Sequence, residues 1–461
     1  MVFALVVAED FLLELTSFKS DFLLELTSFK SLGGGSGLSF YNLDVATELA
    51  LPLVEWLDLD LPPAAQGLLA TSMDLGERAG APLEASSLGD SVDVVTGIPT
   101  TITNGNEGMI SSRFQDHSWV TEDGAVHVMA NTNGQLSLYS SDDSGLTWEA
   151  TATLENSSGS SRADGLIVDG KLYEVYTTGN GGVALSILSY SEDDVSWTVD
   201  STSVYPSPSS LRLERPSITV TEDGTIVVAC TATDRATGQA SLRVGYSEDQ
   251  GSTWTIVDQG VENTKGDGRM SGDIIATDDG VGLLYTNGNT LNWIDYSEDG
   301  ATGAKLESER ILVKGDTQKD PNGTHFSSVT DEEGNIHVAT NNGEQRVVYL
   351  RYDNATDTWD DPVEITSYRS GSYMQISILD DGSIHIAYEV NAGGEQFLEV
   401  SESVDGGDSW AVEARLTQDI VENPGNARLE TPAYAQGTLP VFQQVEPTNG
   451  SNSLVYYEVA Y

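Results

Sequence analysis

The sequence predicts an all-β chain whose body is a seven-bladed β-propeller, with six blades as the alternative count, behind a short N-terminal anchor and a connector. Three observations predict it. From about residue 92, Gly, Asn, Asp, Ser and Thr separate short β-type runs, and helical periodicity is almost absent. An acidic-glycine turn followed by alternating apolar residues then recurs as EDGAVHVMA (Glu122–Ala130), VDGKLYEVY (Val168–Tyr176), EDGTIVVAC (Glu222–Cys230), DDGVGLLYT (Asp278–Thr286), EEGNIHVAT (Glu332–Thr340) and DDGSIHIAY (Asp380–Tyr388). A weaker seventh copy is AQGTLPVFQ (Ala435–Gln443). The spacing of about 46 to 56 residues is the period of four-stranded propeller blades, and Asp-Gly between alternating runs is a strong hairpin signal. Third, a second mark follows the turns: SDDSGLTW (Ser141–Trp148), SEDQGSTW (Ser247–Trp254) and SVDGGDSW (Ser403–Trp410), with degraded forms at Ser191–Trp197, Tyr352–Trp359 and Ser297–Ala304.

The elements follow in order. Residues 1–37 hold DFLLELTSFKS twice, at Asp10–Ser20 and Asp21–Ser31, and then a glycine-rich joint at Gly33–Gly37. Phe11, Leu15, Phe18, Phe22, Leu26 and Phe29 lay one apolar stripe along a helix, and an extended reading that adds to a sheet edge is the alternative. Either form needs a partner or further copies to bury its apolar side, so residues 10–31 read as a docking peptide for a homo-oligomer or a symmetric virion or surface assembly. Residues 38–91 form an apolar, acidic, Pro-interrupted connector. The propeller occupies 92–461, in blades at 113–160, 161–210, 211–267, 268–316, 317–368, 369–419 and 420–461. Val92–Ile102 is expected to close the ring as an outer strand on the run LVYYEVAY.

Composition excludes several function classes. Against 21 basic residues stand 72 acidic ones, a formal net charge of −51. Such a surface repels nucleic acid and anionic membrane, and in dilute salt it repels itself. Molar salt screens charge within ~3 Å, so the composition reads as halophilic, from a salt-loving microbe or its virus. The single cysteine, Cys230, allows no intramolecular disulfide and sits in a strand-like run as an inert thiol. No run reaches the roughly 18 apolar residues of a membrane span, so no membrane insertion is expected. The start lacks the basic region and cleavage site of a standard secretory signal. No cofactor and no metal site are expected.

The S-x-D-x-G-x-[ST]-W segments resemble the Asp-boxes of the sialidase-like, or BNR-repeat, propeller superfamily, a resemblance covering about four-fifths of the chain. In such segments Asp and Ser bond the backbone of a tight hairpin, Gly supplies positive φ and Trp packs between blades. The resemblance implies that the box aspartates are structural. Chemistry is sought instead where the innermost strands begin. There stand Arg113, Asp116 and His117; Arg162 and Asp164; Glu214 and Arg215; Arg269 and Asp273; His325; Arg369 and Tyr373; and Arg428 and Glu430. In a chain with so few cations, Arg113, Arg162, Arg215, Arg269, Arg369 and Arg428, with His325, predict a focused anion site, since guanidinium forks bind carboxylate and sulfate bidentately. Pairing of each arginine with a neighbouring acid is the alternative.

Similarity to sialidases implies an arginine triad (Arg215, Arg269, Arg369), a Tyr373 nucleophile paired with Glu430 or Glu214, and an acid/base at Asp116 or Asp164. Similarity to propeller polysaccharide lyases implies a base at His117, His325 or Tyr373. His127, His337 and His385 recur at one position after the turn and read as blade-packing residues. The leading expectation is binding of an acidic surface glycan (uronate, sulfate or sialate-like) without catalysis, by an attachment or receptor-binding protein such as a tail fibre, on a virion or extracellular surface. The alternatives are a glycan-cleaving lyase or sialidase-like hydrolase, and a structural virion decoration protein.

Overall fold

The computed structural model describes residues 3–6, 12–17 and 24–27, and then 93–95, 100–105, 108–110, 114–157, 162–263, 270–278, 280–288, 290–297, 310–313, 325–367, 370–392, 395–416, 428–445 and 452–460. The chain divides into Met1–Asp90 and Ser91–Tyr461.

In the first unit, Phe3–Val6, Leu12–Ser17 and Leu24–Thr27 form an antiparallel three-stranded sheet in that order. The helical expectation for the duplicated peptide is thereby corrected to the extended one. An isolated helix of this length is marginal, whereas the two copies supply each other with backbone partners. Leu15 faces Leu26, its own counterpart in the repeat, while Glu14 faces Thr27 and Thr16 faces Glu25. The repeat therefore pairs with itself about a local two-fold. The glycine joint and the 38–91 connector lie outside the described residues.

The second unit is built of seven antiparallel sheets, each running from an inner first strand to an outer last one. Blade 1 spans Ser118–Val120 to Glu149–Leu154, blade 2 Ala163–Val168 to Ser196–Tyr205, and blade 3 Leu211–Val220 to Thr255–Glu262. Blade 4 spans Met270–Thr277 to Arg310–Val313, blade 5 Phe326–Thr330 to Val363–Glu364, and blade 6 Ser370–Leu379 to Ala411–Leu416. Blade 7 comprises Arg428–Glu430, Thr438–Val445 and Asn452–Ala460. First strands of neighbouring blades pack against one another around a common axis. The seven repeated turns join first and second strands. In blade 2, Asp169 (φ 50°) and Gly170 (φ 72°) both take the left-handed conformation that a two-residue type I′ hairpin requires.

The three S-x-D-x-G-x-[ST]-W segments join third and fourth strands with one shared hydrogen-bond set. In the first, Ser141 Oγ donates to Asp143 (2.9 Å), Gly145 N–H to Ser141 Oγ (3.0 Å), Thr147 N–H to Asp143 (2.8 Å) and Trp148 Nε1–H to the Gly145 carbonyl (3.1 Å). Ser247–Trp254 and Ser403–Trp410 repeat the set. Each tryptophan then packs on the preceding blade: Trp148 on Tyr456 and Phe442, Trp254 on Tyr205 and Trp410 on Tyr349, as do Trp197 on His127 and Trp359 on Trp293 in the degraded segments. The approach is close enough that a Cβ on Gly145 would lie 2.1 Å from the Tyr456 ring.

Closure uses both ends of the unit. Thr100–Gly105 is the outer strand of blade 7, antiparallel to Asn452–Ala460, as the sequence leads one to expect. The preceding Asp93–Val95 instead pairs parallel with Ala411–Leu416 at the outer edge of blade 6. One run thus clasps two blades. Inside the channel, Tyr434–Ala435 leaves blade 7 and pairs parallel with Ile378–Leu379 of blade 6.

Candidate functional site

The site grows from one repeated position. Seven residues before the turn glycines of blades 1 and 3 to 7 stand His117, Ser217, Asp273, Ser327, Gln375 and Glu430, and blade 2 places Asp164 six before its own. On the inner strands these residues hydrogen-bond from blade to blade. Asp164 accepts the Asp116 N–H at Oδ1 and the Ile218 N–H at Oδ2, both at 2.8 Å, and so links blades 1, 2 and 3. Ser217 accepts the Ile274 N–H (3.0 Å) and donates to Asp273 Oδ1 (2.6 Å), whose other oxygen accepts the Ser328 hydroxyl of blade 5. Ser327 donates to Gln375 (2.8 Å), and Gln375 Nε2 donates to Glu430 Oε2 (3.2 Å). Glu430 accepts the His117 N–H (2.9 Å) and meets His117 Nδ1 at 3.2 Å. This belt passes through every blade and closes on itself.

Within the belt lies an axial cavity of about 350 Å³, walled by Asp116, Asp164, Asp273, Ser328, Trp119 and Tyr434 and by apolar strand residues such as Val120, Ile167, Val220 and Val329. Tyr434 crosses it to donate to the Thr330 carbonyl (2.6 Å). Enclosure in an apolar channel disfavours charge, and neighbouring carboxylates add to the effect. Desolvation, with the charges of Asp164, Glu430 and Asp273, pushes Asp116 well above the usual carboxylate range. Desolvation and Asp273 push Asp164 up to about 8 against the two amides it accepts. Asp273, also desolvated but held by Ser217, Ser328 and the Ile274 amide, rises only to about 6. The Asp116 carboxyl makes no hydrogen bond among the described residues. Behind the wall, burial raises Glu174; neither of its oxygens has a hydrogen-bond partner among the described residues, and its carboxyl fills the space that a Cβ on Gly165 would take. Among the described residues, no three His, Cys, Asp or Glu side chains converge as a metal site.

The residues singled out from the sequence are distributed as follows. Asp164, Glu430 and His117 meet in the belt, where His117 is fully buried against Glu430. Arg113, Arg269 and Arg369 lie outside the described residues. Arg162 pairs with Glu214, which also pairs with Arg212 at 2.8 Å. Arg215 is 6% exposed, has φ of 50° and donates to the Met270 carbonyl (3.2 Å). Arg428 donates to the Ile110 carbonyl. His325 is buried, and Tyr373 packs half-buried on the apolar cluster of blades 6 and 7. The three recurring histidines are packing groups: His127 meets Ser140 and Trp197, His337 meets Tyr349 and Asp331, and His385 meets Ser383. Tyr434, Glu174 and the place of Arg212 escaped the sequence reading. The interval before the turn glycine, seven residues in six blades and six in blade 2, is the sequence signal that marks the belt.

Fold and site together define a seven-bladed β-propeller with an acidic cavity on its axis. No family model matches the chain, and no curated protein matches it in sequence. Similar solved structures include a PL25 ulvan lyase, 12% identical, covering 79% of this chain and 96% of that one, with a TM-score of 0.49. The same lyase bound to -[GlcA(1-4)Rha3S]- matches at 12% identity over 78% of this chain and 96% of that one, with a TM-score of 0.47. A Trypanosoma rangeli sialidase in complex with the inhibitor DANA is 12% identical, covering 75% and 55%, with a TM-score of 0.41.

Proposed function

We propose that the axial cavity is a glycan-acting site and that acid-assisted cleavage of a glycosidic bond is the reaction it is equipped for. The observation that carries this reading is the separation of the carboxyl groups. Asp116, unbonded and facing the cavity, is pushed well above the usual carboxylate range by desolvation and the neighbouring carboxylates, while Asp273, held by Ser217, Ser328 and the Ile274 amide, rises only to about 6. Two carboxyls tuned apart are what a general acid and its anionic counterpart need beside an oxocarbenium-like transition state. Asp116 would protonate the leaving oxygen. Asp273, fixed by two serine hydroxyls, would act as base or stabilise the developing positive charge. Read as Asp-boxes, the three tryptophan turns remain scaffold in this scheme.

The test is incubation with a panel of neutral and acidic oligosaccharides, scored for new reducing ends. Asp116→Asn should lower turnover by roughly 10²–10⁴-fold while leaving thermal unfolding near the parent's. Unsaturated ultraviolet-absorbing ends would favour the lyase alternative, and turnover unchanged by the substitution would refute Asp116 as the acid. A second reading, retention of an acidic glycan without cleavage, is supported by Arg215. A buried arginine in a left-handed backbone conformation is a strained arrangement of the sort that clusters at ligand sites. Binding without turnover, lost in Arg215→Ala, would favour it.

A further inference from the structure

Blades 2 and 3 bring arginines from three separate segments to one loop. Arg162 precedes the first strand of blade 2, Arg212 stands in the first strand of blade 3, and Arg235 follows Ile226–Asp234. A Cβ on Gly181 (φ 78°) would lie 3.0 Å from Arg235 Nη2 and 3.1 Å from Arg212 Cγ, so both side chains cross the same small residue. Hydrogen bonds tie the loop together: Leu213 N–H donates to the Gly181 carbonyl (3.0 Å), and the Arg235 guanidinium donates through Nε to the Leu211 carbonyl (3.0 Å) and through Nη2 to the Asn180 carbonyl (3.3 Å). Glu214, only 11% exposed, is shared by Arg162 and Arg212. Asp234, the residue before Arg235, accepts bonds at Oδ1 from the Ala236 and Thr237 amides and the Thr237 hydroxyl of its own turn.

Three arginines thus stand here with two acids, Glu214 and Asp234, on a chain of net charge −51. Assembling guanidinium groups beside one another costs free energy through like-charge repulsion unless an anion completes the group. Arg212 has a half-exposed side chain, and its Nε and Nη1 make no hydrogen bond among the described residues. A planar fork with donors free toward solvent matches the geometry of sulfate and carboxylate oxygens.

We propose that Arg212 and Arg235, backed by Arg162, form an anion subsite that holds a sulfate ester or uronate carboxylate of a glycan; it stands at the start of Leu211–Val220, the strand whose far end, Ile218–Val220, lines the axial cavity. The inference rests on the glycan reading of that cavity and adds the chemical class of the substrate. Neither Arg212 nor Arg235 lines the cavity, so their loss should leave recognition of uncharged sugar units intact.

The experiment measures affinity of the full chain, at constant low ionic strength, for three matched probes: a sulfated oligosaccharide, its desulfated counterpart and a uronate-bearing one. The sulfated or the uronate probe should bind at least ten-fold more tightly than the desulfated one, and whichever does so names the anion. Arg212→Ala and Arg235→Ala should each remove most of that preference, and Arg212→Lys should restore only part of it. Equal affinity of charged and uncharged probes, or a preference surviving both alanine substitutions, overturns the subsite while leaving the cavity reading standing. No binding of any probe overturns both.

Discussion

At the scale of single residues, the axial carboxyls tie the stability of the ring to proton concentration. Asp164 and Asp273 are held at about 8 and about 6, above the ordinary 3.8 of an aspartate. Below about pH 4, folded and unfolded chains both carry these protons. As pH rises, the unfolded chain ionises freely while the folded one must keep its protons or bury charge, so stability falls through the window from about 4 to about 8. Denaturant midpoints taken across that window at fixed salt should decline, less steeply below about 6.5, where the buried His127 and His385, held down at about 4, contribute in the opposite sense. Asp273→Asn, which keeps an amide within reach of Ser217 and Ser328, should flatten the part of the decline below about 7; a slope identical to the parent's would mean that Asp273 does not titrate as described. Gly145→Ala offers a separate test: with φ at 75° and Tyr456 in the way, it should destabilise by roughly 2–4 kcal/mol, read from chemical denaturation. Asp164 and Glu430 were legible because they stand beside arginines at strand starts. Glu174 was not, because its place depends on an absent side chain one strand away, at Gly165.

At the scale of elements, the tryptophan turns act as wedges between blades. The aspartates hold each hairpin by local bonds, and the indole then reaches back to the preceding sheet. Trp254→Ala should cost roughly 3–5 kcal/mol and lower the unfolding temperature, because it strips Tyr205 and the neighbouring core of their cover. Asp249→Ala should lower the unfolding temperature by less than Trp254→Ala does, since its bonds lie at the surface. These turns were readable in sequence because everything that shapes them falls within eight residues. The duplicated peptide was harder. Its apolar stripe fits a helix, and only the pairing of one copy with the other, a non-local event, selects strands.

At the scale of the whole molecule, the ring depends on the belt and on the clasp. Deleting residues 1–90 should leave the melting of the propeller unchanged, since the unit beginning at Ser91 holds its own core. Extending the deletion through Gly105 removes the outer strands of blades 6 and 7 together, and should produce a lower, broader transition by circular dichroism. The number of blades followed from counting turns. The double clasp did not, because a period in the sequence says nothing about which blade receives a strand made far from its partners.

That clasp sets an order in time. Residues 93–105 leave the ribosome about 300 residues or more ahead of their partner strands, Ala411–Leu416 and Asn452–Ala460. At ~5–20 residues per second the gap is on the order of tens of seconds. Throughout that interval two strands sit exposed with no sheet to join, while the middle blades already have theirs. In cells, the vulnerable species of this protein is therefore a nascent, open horseshoe, and its first-made strands are the segment that a chaperone has most reason to hold.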